Sequence, residues 1–461
     1  MVEGFEQGRN GLVGQTPIPR GGGMVMSRVE PRVLKGFRDY LPEVMAPRET
    51  MFAVIGRVFR QFGYLPLGTP AIEYTDILMG KYGAEGEKLL YRFEDNGGRD
   101  VSLRYDLTVP LARVVAQHTQ LPRPFRRYQI APVWRAEKPA RGRFREFYQC
   151  DVDVIGSDSL LADFECVQVG VAVLRALGVD DFQIRLNDRR ILDGLLAKAG
   201  VSERDTQRTV LRAVDKLPKI GWPGVQKELE AVPGLTSAGI DVLHGFLEAD
   251  LSQLSSDDVD MDIAGPGIES LQQLLQWAET DGIAQWVDVD LSIARGLDYY
   301  TSTIYETFLG AMPELGSVMS GGRYDDLLSM FTKGAVPAVG ISLGLDRLLA
   351  GLMELGLLEK NTHCIDVYVT VFDEASIAYS QGVANQLREV GINTQLHLTP
   401  GQKLARQFKS AARSGASFVV VAGPDECAAE HITIKDMTTG DQQDMSLSDG
   451  VNWIRQQIQT A

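Results

Sequence analysis

At 461 residues the chain is too long for one ordinary core, and two or three domains are expected. Its 44% hydrophobic and 23% charged residues are those of a globular protein, and no apolar run approaches the ~20 residues that span a bilayer, so no membrane partner is expected. The formal net charge of −15 argues against a general nucleic-acid coat, yet it allows a local basic footprint for a structured RNA. The four cysteines, Cys150, Cys166, Cys364 and Cys427, are scattered, with no C-x-x-C pair and no histidine at zinc spacing. That usage suits a reducing, cytoplasmic setting.

The glycine-rich start, residues 1–33, lacks the apolar core of a signal peptide and the acid-poor bias of a transit peptide. It reads as a disordered leader, or as an upstream start ahead of Met24 or Met26. A helix is predicted from about Pro47 to Phe62, followed by GYLPLGTPAIEY, an extended segment whose Pro66 and Pro70 fit an edge strand or an interface. Strand-like runs follow at 101–106, 126–135 and 143–155. The last two, separated by AEKPARG, form an antiparallel hairpin with a long loop. Asp158 to Leu177 is an apolar-periodic helix. Residues 195–285 change character, with helical patterns broken at DKLPKIGWPG, VPGLTSAG and IAGPG, and read as an inserted helical domain. The sheet pattern returns in VDVDLSIARGLDYYTSTIYETF and ends in AVGISLGLDRLLAGLMELG, a strand passing into a helix. After a linker at NTHC, strands IDVYVTVF, INTQLHL, SFVVVAG and HITIKDM alternate with helices, the mark of a small α/β domain. In one of those helices, QKLARQFKSAAR, the basic Lys403, Arg406, Lys409 and Arg413 stand opposite Leu404, Phe408 and Ala412.

The segment GRFREFYQCDVD at 142–153 concentrates the chemistry. Laid out as a strand, Arg143, Arg145, Gln149, Asp151 and Asp153 share one face, which runs from cationic to anionic. Between Arg123 and Arg145 lie eight arginines and lysines against one acid, Glu137, interleaved with Trp134 and Phe144. A solvated basic hairpin is the plain alternative; packed aromatics and arginine's planar fork favour a polyphosphate site at least as much. G-x-x-x-x-G-K-[ST] and G-x-G-x-x-G are absent, so the phosphates would be held by arginines on a sheet. At the anionic end Asp106, Gln149, Asp151 and Asp153 suit a small cationic group, with Asp151 preferentially read as paired to a neighbouring arginine. GISLG at 340–344 fits the nucleophile elbow G-x-S-x-G, but His363, His397 and His431 all fall beyond the linker, and that reading is set aside.

Taken together, GTPAIEY, VWRAEKPARGRFREFYQCDVD and GISLGLDRLL resemble, in order, motifs 1, 2 and 3 of class II aminoacyl-tRNA synthetases. RGLDYYTSTIYE and SGGRYDDLL resemble the signatures of the histidyl-tRNA synthetase family. The resemblance implies an α/β multidomain fold: a class II antiparallel-sheet catalytic domain in two parts, 34–194 and 286–360, a helical insertion at 195–285, and an anticodon-binding domain at 361–461. It implies ATP and L-histidine as substrates, Mg²⁺ bridging phosphate oxygens, histidine tRNA as partner and a homodimer built around motif 1. By motif position, Arg135, Arg143 and Arg347 would hold ATP. Asp106, Thr108 and Gln149 would take the histidine ammonium, Asp153 and Tyr300 the imidazole with Tyr299 beside them, and Arg295 the carboxylate and α-phosphate; no protein metal ligand is implied. The family also includes inactive synthetase-like regulatory or histidine-sensing subunits. Retention of Arg135, Arg143, Arg295 and Arg347, with a complete tail, ranks that alternative second. In the motif 2 loop the common bacterial pattern has an arginine and a glutamine, tied to an extra 5′ guanosine on the tRNA, where this chain has Lys138 and Ala140.

Overall fold

The computed structural model describes residues 29–79, 88–294, 299–358 and 365–460. The expected leader, apart from residues 29–33, and the NTHC linker lie outside them.

Strands β1 (Leu65–Pro66), β5 (Phe125–Trp134), β6 (Glu146–Ile155), β7 (Phe182–Asp188), β8 (Val287–Val289), β9 (Thr303–Leu309), β10 (Met319–Arg323) and β11 (Ala338–Gly344) form one sheet among the described residues. Its order is β1-β5-β6-β11-β10-β9-β7-β8. The interior pairings are antiparallel, and the two edge strands β1 and β8 join in parallel. Pro66 therefore sits on an edge, where its missing N–H costs no ladder bond. A small sheet of β2 (Ile72–Tyr74), β3 (Arg92–Glu94) and β4 (Asp100–Leu103) stands beside it.

Strand β6 shows why the sheet can carry a polar site. Cys150, Val152 and Val154 point to one face and are fully buried in the main apolar core, together with the helix Leu160–Ala176. Burying such side chains stabilises by roughly 1.5–3 kcal/mol each. Gln149, Asp151 and Asp153 alternate onto the other face and become the floor of a cavity. Opposite Asp153 in β11 stands Gly340, where a Cβ would lie 2.2 Å from the Asp153 Oδ1. Glycine is the residue that leaves room there.

Three expectations need correction. The first helix spans Pro42–Gln61, with Pro42 in the first turn, where a missing N–H is tolerated, and Pro47 inside. The 143–155 strand begins only at Glu146, because Gly142 at φ +66° and the Ala140–Arg143 bridge turn the chain first. In the helix Leu404–Arg413, Gln407 and Ala411 are the buried residues and Ala412 is exposed. Gln407 is buried because it ties down the Val371 backbone, accepting from the N–H at 3.0 Å and donating to the carbonyl at 2.8 Å.

Between β7 and β8 run helices Arg189–Lys198, Arg204–Val214, Leu217–Glu230, Ser237–Glu248 and Met261–Thr280, where a helical insertion was expected. Toward the C-terminus β12 (Val367–Val369), β13 (Thr394–Leu396), β14 (Phe418–Val421), β15 (His431–Asp436) and β16 (Gln442–Ser446) form a second sheet with its own apolar core.

Candidate active site

Two adjoining cavities open on the polar face of the main sheet. One, of about 240 Å³, is lined by Arg135, Arg143, Arg347, Phe144 and Glu137 among others. Its neighbour, of about 290 Å³, is lined by Asp106, Thr108, Asp151, Asp153, Tyr299 and Tyr300 among others. Arg135, Gln149, Ser320 and Ser342 line both, so the two adjoin around these four side chains. The cationic and anionic ends expected from one segment are thus assembled from several strands around a shared centre.

At the cationic end, Arg135 lies over the Tyr105 ring at 4.2 Å and donates from Nε to the Tyr105 carbonyl at 3.2 Å. Arg143 is half exposed, and its guanidinium is 4.0 Å from Glu137. Arg347 donates to the Ser317 carbonyl at 2.5 Å. The rest of the basic cluster is largely engaged elsewhere, which narrows the sequence reading. Arg126 pairs with Glu165, Arg127 with Asp153 and Arg141 with Glu354, while Arg145 donates to the carbonyls of Glu137 and Lys35. The neighbour of Arg347, Asp346, is buried and accepts from Arg38 at 2.8 Å, Arg48 at 3.1 Å, the Tyr40 hydroxyl and the Tyr148 backbone N–H at 2.7 Å. Arg38 also covers Phe144, 3.7 Å from the ring centre.

At the anionic end, the Asp106 Oδ1 accepts from the N–H groups of Thr108 and Val109, at 3.2 and 3.0 Å, at the start of the helix Thr108–Gln117. Gln149 donates to the Ser342 hydroxyl at 2.6 Å, leaving its own buried Oε1 without a donor. Asp153 is 3% exposed, its Oδ2 lies 2.7 Å from the fully buried Arg127, and its Oδ1 accepts from the Tyr324 hydroxyl. The hydroxyls of Tyr299 and Tyr300 are 3.1 Å apart. Burial pushes both tyrosines above their ordinary range, so both stay protonated. Burial likewise raises the carboxyl of Asp153, against the pull of Arg127, and pushes that of Asp151 up to about 7. The arginine partner expected for Asp151 belongs instead to Asp153, because the β5–β6 register sets Arg127 across from Asp153 and Gln129 across from Asp151.

Of the residues singled out from sequence, Arg135, Arg143, Arg347, Asp106, Thr108, Gln149, Asp153, Tyr299 and Tyr300 all line the two adjoining cavities. Arg295 lies outside the described residues. Sequence reasoning missed Arg127, Tyr324, Ser342 and Glu306. Arg127 shares the parity of Gln129, and pairing it with Asp153 required the hairpin register. Ser342 lies within β11, bonded to Gln149, rather than on a strand-to-helix turn, which disposes of the nucleophile-elbow reading.

Residues 36–348 match the family model described as histidyl-tRNA synthetase, and residues 366–457 match one described as an anticodon binding domain. The histidine–tRNA ligase of Rhodopirellula baltica is 45% identical, covering 91% of this chain and 96% of its own length. That of Wolinella succinogenes is 42% identical, covering 90% and 95%. Among solved structures, the histidyl-tRNA synthetase of Nostoc sp. PCC 7120 superposes with a TM-score of 0.82 at 31% identity, covering 93% of this chain and all of that one.

Proposed function

Since the chain belongs to the histidyl-tRNA synthetase family, we propose that its two adjoining cavities divide the work of a histidine–tRNA ligase between them. The reaction joins L-histidine and ATP to histidyl-adenylate and pyrophosphate; the terminal ribose hydroxyl of histidine tRNA then attacks the adenylate carbonyl and AMP leaves. In our reading ATP occupies the arginine-lined cavity, with Arg135 at the α-phosphate, Arg143 toward the γ-phosphate and Arg347 on the other side of the nucleotide. Histidine occupies the anionic cavity, its ammonium toward Asp106, Thr108 and Gln149 and its ring among Asp153, Tyr299 and Tyr300. What carries this division is the shared wall of Arg135, Gln149, Ser320 and Ser342, since two substrates that react must meet within bonding distance.

No enzyme nucleophile is needed. The histidine carboxylate attacks the α-phosphorus in line, and the P–O bond to pyrophosphate breaks. Two anions are brought together, so catalysis consists of holding them in line and stabilising charge that develops at phosphorus. Arg135 lies at the junction for that task, and Arg295 is proposed to share it. Magnesium is proposed to enter with ATP. Of the carboxylates lining the nucleotide cavity, Asp346 is taken by arginines and Glu137 stands within 4.0 Å of Arg135 and Arg143. This suits an ion held mainly by phosphate oxygens and waters, where it would offset phosphate charge.

The C-terminal sheet domain is proposed to read the anticodon of histidine tRNA. We also propose a homodimer, supported by exposed Leu65, Ile72, Tyr74 and Phe93 near Pro70; sedimentation equilibrium at micromolar concentration would test it. No helix among the described residues is long and apolar enough to cross a membrane, and a cytoplasmic location is part of the proposal. The direct test of function is charging of total tRNA with labelled histidine by the purified chain. ATP-dependent charging is expected; histidine binding without adenylate formation would favour the regulatory alternative.

A further inference from the structure

We propose that Arg38 is a positioning residue of the nucleotide cavity, which holds the Phe144 ring in the cavity wall and joins that wall to the buried Asp346 beside Arg347. The inference rests on the reading of this cavity as the ATP subsite. It brings into the first half-reaction a residue of the N-terminal segment, outside the three motifs.

Residues 29–41 form neither helix nor strand, so the course of this segment is set by what it touches. It first meets the motif 2 loop. Arg145 donates its backbone N–H to the Gly36 carbonyl at 2.8 Å and its Nη1 to the Lys35 carbonyl at 3.2 Å. Gly36, at φ +89°, lies so close that a Cβ would fall 2.7 Å from the Arg145 Cδ and 2.9 Å from the Pro139 Cγ. Two residues on, the Arg38 guanidinium lies 3.7 Å from the centre of the Phe144 ring and donates to the Asp346 Oδ1 at 2.8 Å. One planar group therefore spans motif 2 and motif 3. Phe144, Asp346 and Arg347 line the nucleotide cavity, whereas Arg38 does not, so it can act there only through them.

Phe144 needs such a partner because the sheet does not hold it. Strand β5 ends at Trp134 and β6 begins only at Glu146, so the ring lies in the connecting loop. An arginine over an aromatic face is favourable both as a cation and as a flat surface. A ring ordered before the ligand arrives spares binding the cost of ordering it. The fold itself depends little on Arg38, whose side chain is 30% exposed. Without it Asp346 still accepts from Arg48, the Tyr40 hydroxyl and the Tyr148 N–H. Removing Arg38 should therefore be felt in the cavity wall and hardly in stability.

Arg38→Met keeps an apolar stem and removes the fork. In pyrophosphate exchange its KM for ATP should rise about fivefold or more while that for histidine stays within about twofold. Its melting temperature should fall by less than about three degrees. Phe144→Ala should raise the KM for ATP in the same way. Because Arg38 acts through Phe144, the double variant should stand within about twofold of the more affected single variant. Arg38→Lys, which keeps a charge for Asp346 without the planar fork, should melt with the parent and still raise the KM for ATP about threefold or more. The proposal is overturned if the KM for ATP stays within twofold in Arg38→Met or in Arg38→Lys, if both KM values rise together, or if the two single effects multiply in the double variant. Failure of the underlying reading looks different: the parent enzyme would show no histidine-dependent exchange, or Arg143→Ala would leave the KM for ATP unchanged.

Discussion

The two ends of the site are built in opposite ways. At the nucleotide end the charges are partly open to water; Arg143, beside the turn at Gly142, is 52% exposed and touches Glu137 only at 4.0 Å. At the other end they are buried in the sheet, and the side chains of Arg127 and Asp153 are 0% and 4% exposed. Under the proposed assignment the difference suits the two substrates. A triphosphate brings several charges and an ion of its own, so it can be gathered by partly exposed arginines at modest cost in desolvation. An imidazole offers two nitrogens and little charge, so selecting it requires fixed, dry partners whose loss is felt strongly. The sheet supplies rigidity where discrimination is needed, and the hairpin loop supplies reach where charge suffices.

The residue that belongs to both ends should be the most sensitive. Arg135→Ala is expected to lower the rate of pyrophosphate exchange by about 10²–10³, as for loss of one preorganised donor to a transition-state charge. Arg295→Ala is expected to do the same while histidine and ATP still bind; near-normal exchange in either variant would remove that residue from the mechanism. Removing residues from 361 onward should leave the comparison intact and separate the half-reactions. Adenylate formation should survive in part, and charging of tRNA should fall by about a hundredfold or more, read with the same preparation.

Smaller effects sharpen the contrast between the ends. Breaking a buried ion pair from one side costs about 3–5 kcal/mol, so Asp153→Asn should show in urea unfolding as a loss of that order. Arg143→Ala, at an exposed site, should leave stability within about 0.5 kcal/mol. Equal losses in the two variants would erase the distinction between a rigid end and an open one. In the C-terminal domain, reversing charge at exposed Arg406 and Lys409 should weaken tRNA binding and flatten its salt dependence by one to two phosphate contacts. The smallest effect is expected in the motif 2 loop. Lys138 lacks the bidentate fork and Ala140 offers no side-chain hydrogen bond, while Arg141 is paired with Glu354. Omitting the extra 5′ guanosine from a histidine tRNA transcript should therefore lower kcat/KM by less than about a hundredfold, near 2.7 kcal/mol.

Much of the site was legible in the sequence because period-two alternation places Gln149, Asp151 and Asp153 on one face whatever the rest of the fold does. Motif order carried the arginines and the paired tyrosines to the same place. What alternation cannot give is the partner across the sheet. Whether Arg127 meets Asp151 or Asp153 turns on the register fixed by the long AEKPARG connection, and a shift of two residues would exchange them. The contacts of Asp346 with Arg38, Tyr40 and Arg48 span about three hundred residues, beyond any local pattern. Gln407 was overlooked for a similar reason, since a polar side chain becomes a core residue only once the Val371 backbone is beside it.

The proposal that two adjoining, separately built cavities bind the two substrates is tested most directly by measuring both KM values in pyrophosphate exchange for Arg143→Ala and Tyr300→Phe. The account predicts that Arg143→Ala raises the KM for ATP about tenfold and leaves that for histidine within twofold, and that Tyr300→Phe does the reverse. If each variant shifts both values equally, the two ends do not act as described and the division is wrong.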